Sequence, residues 1–326
     1  MKHTLRVGVL RGGPSNEYEV SLNSGSAVLS ALRENRSGKY LVRDIFIDRN
    51  GNWHIDGFAV EPHDIAGKID VAFNALHGNY GEDGKIQSLF ETYGIPFTGS
   101  GSLASAVGMN KVLTKKAMSA QGIKSPYTRE FPASEFIEDQ KGTAQWLFET
   151  FIMPAVVKPA TGGSAIGISI VRNKADWLPA LVNAADHSDS ILIEEFIPGI
   201  EATCGVIEGF RGKDIYALPV IEIRPKAGFF DYDAKYNGMS EEIVPATFSQ
   251  ELKKEIESLA IEIHQMLSLR HYSRSDFIIH PRRGVYSLEV NTLPGLTSES
   301  LIPKALKAVG SDLSELVEHL IALALQ

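Results

Sequence analysis

A chain of 326 residues with 44% hydrophobic composition is long enough to bury the cores of two or three domains. Its formal charge of -8, with Lys and Arg spread along the chain, argues against non-specific nucleic-acid binding, while local clusters leave small anionic ligands open. The one cysteine, Cys204, excludes an intrachain disulfide and a cysteine-rich metal site. No stretch approaches the roughly 20 apolar residues of a membrane helix, and the opening Met1–Leu10 is interrupted too soon for a signal peptide. A cytoplasmic location is expected, with no nucleic-acid partner and no membrane span.

In chain order, Leu5 to Leu10 predicts a buried strand and Gly12-Gly13-Pro14-Ser15 a turn. The next segment predicts a helix to Leu32 with Val28, Ala31 and Leu32 on one side. Leu41 to Ile47 and Ile69 to Leu76 predict further strands. This is the pattern of an open α/β sheet, whose ligands sit in the loops leaving the carboxyl ends of strands. Two loops qualify, Gly12 to Glu17 and His77 to Gly84. Glu17 and Glu82 in them suit either of two roles, holding an ammonium group or capping a helix turn.

A helical stretch with Asn110, Lys111, Leu113, Lys115 and Met118 follows, closed by Gly122. Lys111 on it either reaches a phosphate or stays solvated. Ala155 to Lys158 predicts a short buried strand, joined through the glycine loop Ala160 to Gly167 to Ile168–Val171. Glycines let backbone N–H groups approach phosphate oxygens and Ser164 adds a hydroxyl; the same residues also suit a tight turn. In a Walker A loop the lysine follows its glycines, so the order here is different. Ser190 to Ile193 opens into Glu194-Glu195-Phe196-Ile197, a connector able to meet a planar base. Glu201, seven residues after Glu194, can bond a ribose hydroxyl pair; the bland alternative is a charged surface loop.

Arg224 to Asn237, with mixed charge and four aromatics, suits either a lid or a folded surface excursion. Leu252, Ile256, Leu259, Ile263 and Met266 predict a helix with one buried face, beside which His264 reads as structural or solvated. Leu313, Leu316, Val317 and Leu320 predict a last helix packed over the C-terminal part. Between these helices lie Arg274-Ser275-Asp276 and Ser287-Leu288-Glu289-Val290-Asn291. Strand alternation puts Glu289 and Asn291 on one face and Leu288 and Val290 on the other, so an acid and an amide can meet Asp276 from a neighbouring strand. Such oxygen donors suit a hard cation bridging phosphates, or a strand edge whose polar groups satisfy one another. Divisions are expected at 1–104, 105–190 and 191–326.

Taken together, the motifs resemble the D-alanine–D-alanine ligases, which are ATP-grasp enzymes. The resemblance runs from Gly12-Gly13-Pro14-Ser15-Asn16-Glu17 through His77-Gly78, Gly81-Glu82-Asp83-Gly84, Lys158-Pro159, Tyr232 to Tyr236 and Arg274-Ser275-Asp276 to Glu289 through Thr297. It implies an α/β (α+β) ATP-grasp fold: an N-terminal open α/β domain, a small central domain and a C-terminal domain, with ATP between the last two. It also implies a homodimer that joins two D-alanine molecules through an acyl phosphate, serving peptidoglycan synthesis in the bacterial cytoplasm.

By that resemblance Lys111 and Lys158 hold nucleotide phosphates under a loop carrying Ser164. Glu194, Glu195, Phe196, Ile197 and Glu201 contact adenosine. Asp276, Glu289 and Asn291 hold two magnesium ions, with manganese as the alternative. Glu17 orients the first D-alanine beside His77 and a Ser164–Tyr236 pair. Arg274 and the Gly295 N–H stabilise the oxyanion, while Lys235, Ser300 and the Leu301 backbone hold the second carboxylate. Two departures are visible: Gly162 stands where many family members have glutamate, and Ser275 is more polar than the usual residue. Tyr236 matches the dipeptide-forming subtype. The alternatives are a ligase of this fold with a different second substrate, or an ATP-binding regulator without turnover.

Overall fold

The computed structural model describes residues 4–35, 38–163, 166–225 and 240–326. Of the expected lid, Arg224 to Asn237, the first two residues end a strand and Lys226 to Asn237, with Lys235 and Tyr236 among them, lie outside the described residues, as does Ser164.

The first sheet comprises β1 (Leu5–Gly12), β2 (Tyr40–Ile47), β3 (Trp53–Ile55), β4 (Phe58–Val60) and β5 (Val71–Asn74), in the order β4-β3-β2-β1-β5. Helix α1 (Tyr18–Glu34) links β1 to β2, and β1 pairs in parallel with both β2 and β5. Alternation explains the two faces. Val7 and Val9 point to α1, while Leu10 meets Ile45, Ile69 and Phe90 on the other side, where α2 (Lys85–Thr92) closes the layer. The buried stripe of α1 is rotated from the expected one. Leu29 is buried with Val28 and Leu32, while Ala31 is partly exposed.

Asn110 separates α3 (Ser102–Met109) from α4 (Lys111–Ala120): its side chain accepts the N–H groups of Val112 and Leu113, an N-cap that starts the second helix. The central sheet is antiparallel, with β6 (Thr128–Pro132), β7 (Ala155–Pro159), β8 (Ser169–Val171) and β9 (Ser190–Glu195) in the order β6-β9-β7-β8. Helices α5 (Ala133–Glu138), α6 (Gln140–Thr150) and α7 (Trp177–Ala185) cover one face around the fully buried Trp177.

The third sheet holds β10 (Ile200–Glu208), β11 (Ile215–Ala217), β12 (Ile221–Pro225), β13 (Ser240–Ile243), β14 (Tyr272–His280) and β15 (Gly284–Asn291). The main order is β13-β12-β10-β14-β15, with β11 beside β10. Helix α8 (Gln250–Met266) buries Ile256, Ala260 and Ile263 against it. Helices α9 (Leu301–Ala308) and α10 (Leu313–Ala324) bury Ile302, Leu306, Leu316, Val317 and Leu320 in a core that also contains Val28, Leu29 and Leu32 of α1. The last helix thus packs against the first one as well as over the C-terminal sheet. The expected divisions at 104 and 190 fall inside α3 and on the first residue of β9. We propose the connections 95–101 and 196–199 as the divisions instead.

Two buried histidines hold the base of the third sheet. His264 meets Ser273 Oγ at 2.8 Å through Nδ1 and Glu208 at 3.4 Å through Nε2, so its role is structural. His271 Nδ1 accepts the Gly99 N–H at 3.0 Å, which requires an unprotonated nitrogen there. Burial, reinforced by the charge of Arg270, pushes the His271 pKa down from 6.5 to about 4. Within that window the unfolded chain binds a proton that the folded chain refuses. The stability contributed is complete above 6.5 and is lost as pH falls toward 4, by up to about 3 kcal/mol. Melting temperature is therefore expected to drop more on acidification in the wild type than in His271→Asn, whose asparagine tolerates the positive φ of 66° at this position. Equal drops in the two proteins would show that this ring does not titrate on unfolding.

Candidate active site

In the β14–β15 ladder Arg274 lies opposite Asn291 and Asp276 opposite Glu289, which places all four side chains on one face. The Arg274 guanidinium forks onto Asp276, Nε to Oδ1 at 2.9 Å and Nη2 to Oδ2 at 2.7 Å. Thr203 on β10 donates to Oδ1 at 2.6 Å, and the Asn291 amide donates to Oδ2 at 3.1 Å. Simple alternation fails one residue earlier. The register shifts between Asp276 and Phe277, so Leu288 is an extra residue in a β-bulge. Leu288 consequently lines the same cleft as Glu289, whereas Val290 packs in the core behind; strict alternation, which pairs Leu288 with Val290, does not hold here.

Above this face lie the buried lysines. Lys111 opens α4, donates to Gly162 O at 2.5 Å and stands 3.8 Å from Glu289 Oε2. It is buried, so the solvated alternative does not hold. Burial lowers its pKa, a shift that Glu289 opposes and Lys158 reinforces. Lys158 ends β7 with Nζ at 2.9 Å from Glu194 Oε2, and Lys115 Nζ lies 3.1 Å from Oε1 of the same carboxylate. Burial works against the Glu194 charge, yet Lys115 and Lys158 outweigh it and hold its pKa below the ordinary value. Two ammonium groups on one carboxylate leave a surplus positive charge, suited to an anion. Lys115 was not singled out by sequence; the spacing of a helix shows its faces but not a partner 79 positions away on another sheet.

Glu17 occupies the N-cap position of α1 without a side-chain cap bond. A methyl group on Gly163 would lie 2.8 Å from Glu17 Oε2, and one on Gly78 2.7 Å from the same oxygen. Glycine at both positions lets the two loops close on this carboxylate. His77 is buried against Ser24 Oγ at 2.9 Å, and burial keeps its pKa below the usual value against the pull of Glu17. Glu82 caps neither α1 nor α2. It accepts the N–H groups of Gly78 at 2.8 Å and Leu293 at 3.1 Å, tying the first sheet's loop to the end of β15, and burial with the nearby Glu17 charge pushes its pKa up to about 8.

A cavity of about 640 Å³ is lined by Glu17, His77, Lys111, Arg274, Glu289 and Gly295. Ser300 and Leu301 border it at the start of α9, Ser300 Oγ lying 2.8 Å from Thr297 Oγ1. A second cleft of about 120 Å³, between the central and third sheets, is walled by Lys158, Glu194, Phe196, Ile197, Glu201 and Leu288. Arg274, Glu289 and Leu301 border both spaces. Glu195 also faces the second cleft, with its carboxylate on the Tyr127 N–H and Arg283. Lys111, Lys158, Gly162, Gly163 and Glu289 form a narrow throat. Gly162 has φ of 106° with open space where a side chain would start, so a glutamate there meets backbone strain and not crowding. Among the described residues no group of three His, Cys, Asp or Glu gathers to hold a metal. Glu289 faces the throat, with Asp276 beside it on the second cleft and Asn291 on the larger cavity, a hard-donor set that phosphate oxygens can complete.

A cleft walled by two antiparallel sheets, with lysines at its throat and carboxylates on its floor, defines the architecture of an ATP-grasp enzyme. A family model described as D-ala D-ala ligase C-terminus matches residues 117–322, and one described as D-ala D-ala ligase N-terminus matches 6–65 and 56–100. The chain belongs to the D-alanine–D-alanine ligase family. A D-alanine–D-alanine ligase of Geotalea uraniireducens is 41% identical over 323 residues, 98% of this chain and 96% of that protein. One from Pelotomaculum thermopropionicum is 39% identical over 325 residues, covering 99% and 98%. Among solved structures, the D-Ala:D-Ser ligase VanG of Enterococcus faecalis is similar with a TM-score of 0.85 at 31% identity, covering 99% of this chain and 100% of that one. A D-alanine–D-alanine ligase of Bacillus anthracis gives 0.78 at 34% identity, covering 99% and 98%.

Proposed function

We propose that the protein joins two D-alanine molecules with hydrolysis of ATP to ADP and phosphate, making D-alanyl-D-alanine for peptidoglycan precursors as a homodimer in the bacterial cytoplasm. The carrying observation is the junction of two spaces at Arg274 and Glu289: one sized for small substrates, the other flanked by Glu194 and Glu201. No helix among the described residues is long and apolar enough to cross a membrane.

Adenosine occupies the smaller cleft, with Glu194, Glu195, Phe196 and Ile197 at the base and Glu201 at the ribose. Its phosphates run into the throat toward Lys111 and Lys158. Asp276, Glu289 and Asn291 would hold two magnesium ions, or manganese, which neutralise phosphate charge as the γ-phosphoryl group moves. Glu17, between the two glycines, binds the ammonium of the first D-alanine, with His77 neutral beside it. The substrate carboxylate attacks the γ-phosphorus, ADP leaves, and an acyl phosphate remains. The amine of the second D-alanine attacks that carbonyl, phosphate departs, and the nitrogen loses a proton. Arg274 and the Gly295 N–H stabilise the tetrahedral oxyanion. Ser300 and the Leu301 N–H, at the positive end of α9, receive the second carboxylate. Ser164, Lys235 and Tyr236 complete these sites by family resemblance.

Incubation with ATP, magnesium and D-alanine should yield ADP, phosphate and a product with the mass of the dipeptide. The likeness to a D-Ala:D-Ser ligase motivates a parallel mixture containing D-serine. A product only in that mixture would reassign the second substrate, and ATP binding without turnover in either would leave a regulator.

A further inference from the structure

We propose that Lys115 is a positioning residue of the nucleotide site: it is the standing counter-charge of Glu194, which lets Lys158 leave that carboxylate for the triphosphate. The inference rests on the reading above of Lys158 as a phosphate ligand and Glu194 as an adenosine contact.

The geometry is that of one carboxylate shared by two ammonium groups. Lys115 Nζ lies 3.1 Å from Oε1 and Lys158 Nζ 2.9 Å from Oε2, with side-chain exposures of 7%, 7% and 3% for Lys115, Lys158 and Glu194. One lysine would neutralise the acid. Burying a second like charge beside it is unfavourable unless an anion arrives to use it. The two lysines are not equivalent. Lys158 is the last but one residue of β7, leads into the glycine loop and lines both the throat and the adenosine cleft. Lys115, in the middle of α4, lines neither of these spaces nor the larger cavity. Only Lys158 can therefore turn to the phosphates.

When it does so, Glu194 remains inside the protein and needs a partner; otherwise nucleotide binding must strand a buried carboxylate. Lys115 supplies that partner from a helix that carries Lys111 one turn earlier, so both ends of the triphosphate site share one rigid support. Burial, with Lys158 adding to it and Glu194 opposing it, brings the Lys115 pKa down to about 8, the signature of a cation kept inside by its acid.

The test is ADP release by the full chain at saturating D-alanine and magnesium, with ATP varied. Lys115→Met should raise KM for ATP at least about tenfold, with a smaller change in kcat. Lys115→Arg, which keeps the charge, should stay within about threefold of the wild type. Glu194→Gln removes the acid that Lys115 serves, so adding Lys115→Met to it should change KM for ATP by less than about twofold. Lys115→Gln gives the same reading if the methionine variant does not fold. An unchanged KM for ATP, a fall in kcat as large as that in kcat/KM, no recovery in Lys115→Arg, or full additivity with Glu194→Gln would each overturn the proposal. Lys158→Ala separates this outcome from failure of the site itself. If it leaves KM for ATP unchanged the nucleotide reading falls, whereas if it raises KM while Lys115→Met does not, only the role of Lys115 falls.

Discussion

Glu289→Gln is expected to lower kcat by about a hundredfold or more while the protein melts close to the wild type. The substitution keeps size and shape but removes the acid that faces the throat, and with it the charge proposed to hold the cations against the transferring phosphoryl group. Little of the fold depends on that charge. Glu289 sits opposite Asp276 on β15, and its ion-pair partner Lys111, 3.8 Å away, also donates to Gly162 O. At 3.8 Å the pair is wider than a hydrogen bond, and Lys111 keeps the Gly162 carbonyl after the change, so little fold stability is expected to be lost. Turnover measured at saturating magnesium alongside a thermal melt separates the two effects. Activity at the wild-type level would remove Glu289 from the cation site.

Arg274→Met should cost about 3 kcal/mol of transition-state stabilisation, on the order of a hundredfold in kcat. Two consequences combine here. The guanidinium faces the cavity where the oxyanion is proposed to form, and its fork at 2.9 and 2.7 Å fixes Asp276 in place. After the change Asp276 keeps Thr203 and Asn291 among its partners but loses its adjacent cation. Lysine should recover little, because a single ammonium cannot reproduce the bidentate geometry. Single-turnover phosphate release and dipeptide formation distinguish loss of activation from loss of the second step. Wild-type kcat in Arg274→Lys would show that charge alone suffices and that the fork has no catalytic consequence.

Those parts of the site that are governed by a local period were legible in the chain. Alternation along Glu289-Val290-Asn291 gave a shared polar face, and the ladder puts Arg274 and Asp276 opposite it. The run Lys158 to Gly163 suits a phosphate-approaching loop or a tight turn, and both glycines lie against the throat beside Lys158. Helical repeats located α8 and α10. What was not legible depends on partners distant in sequence. Leu288 reads as a back-face residue until a bulge is known, because the extra residue in β15 is defined only against β14. Glu82 reads as a cap until Leu293, 211 positions later, is seen to donate to it. Ser24 gave no signal at all, being one small polar residue on an amphipathic helix; in the fold it touches His77 and the Leu296 N–H and so joins the first helix to both substrate loops. Lys115 and Lys111 look alike as helix lysines, and only the positions of the central and third sheets decide that one meets Glu194 and the other Glu289.

The bulge at Leu288 puts an apolar side chain and an acid on consecutive residues of β15, both on the wall of the second cleft. Strict alternation would turn one of the two away from that space. One extra residue thus lets a single strand offer grease and charge side by side on the same surface.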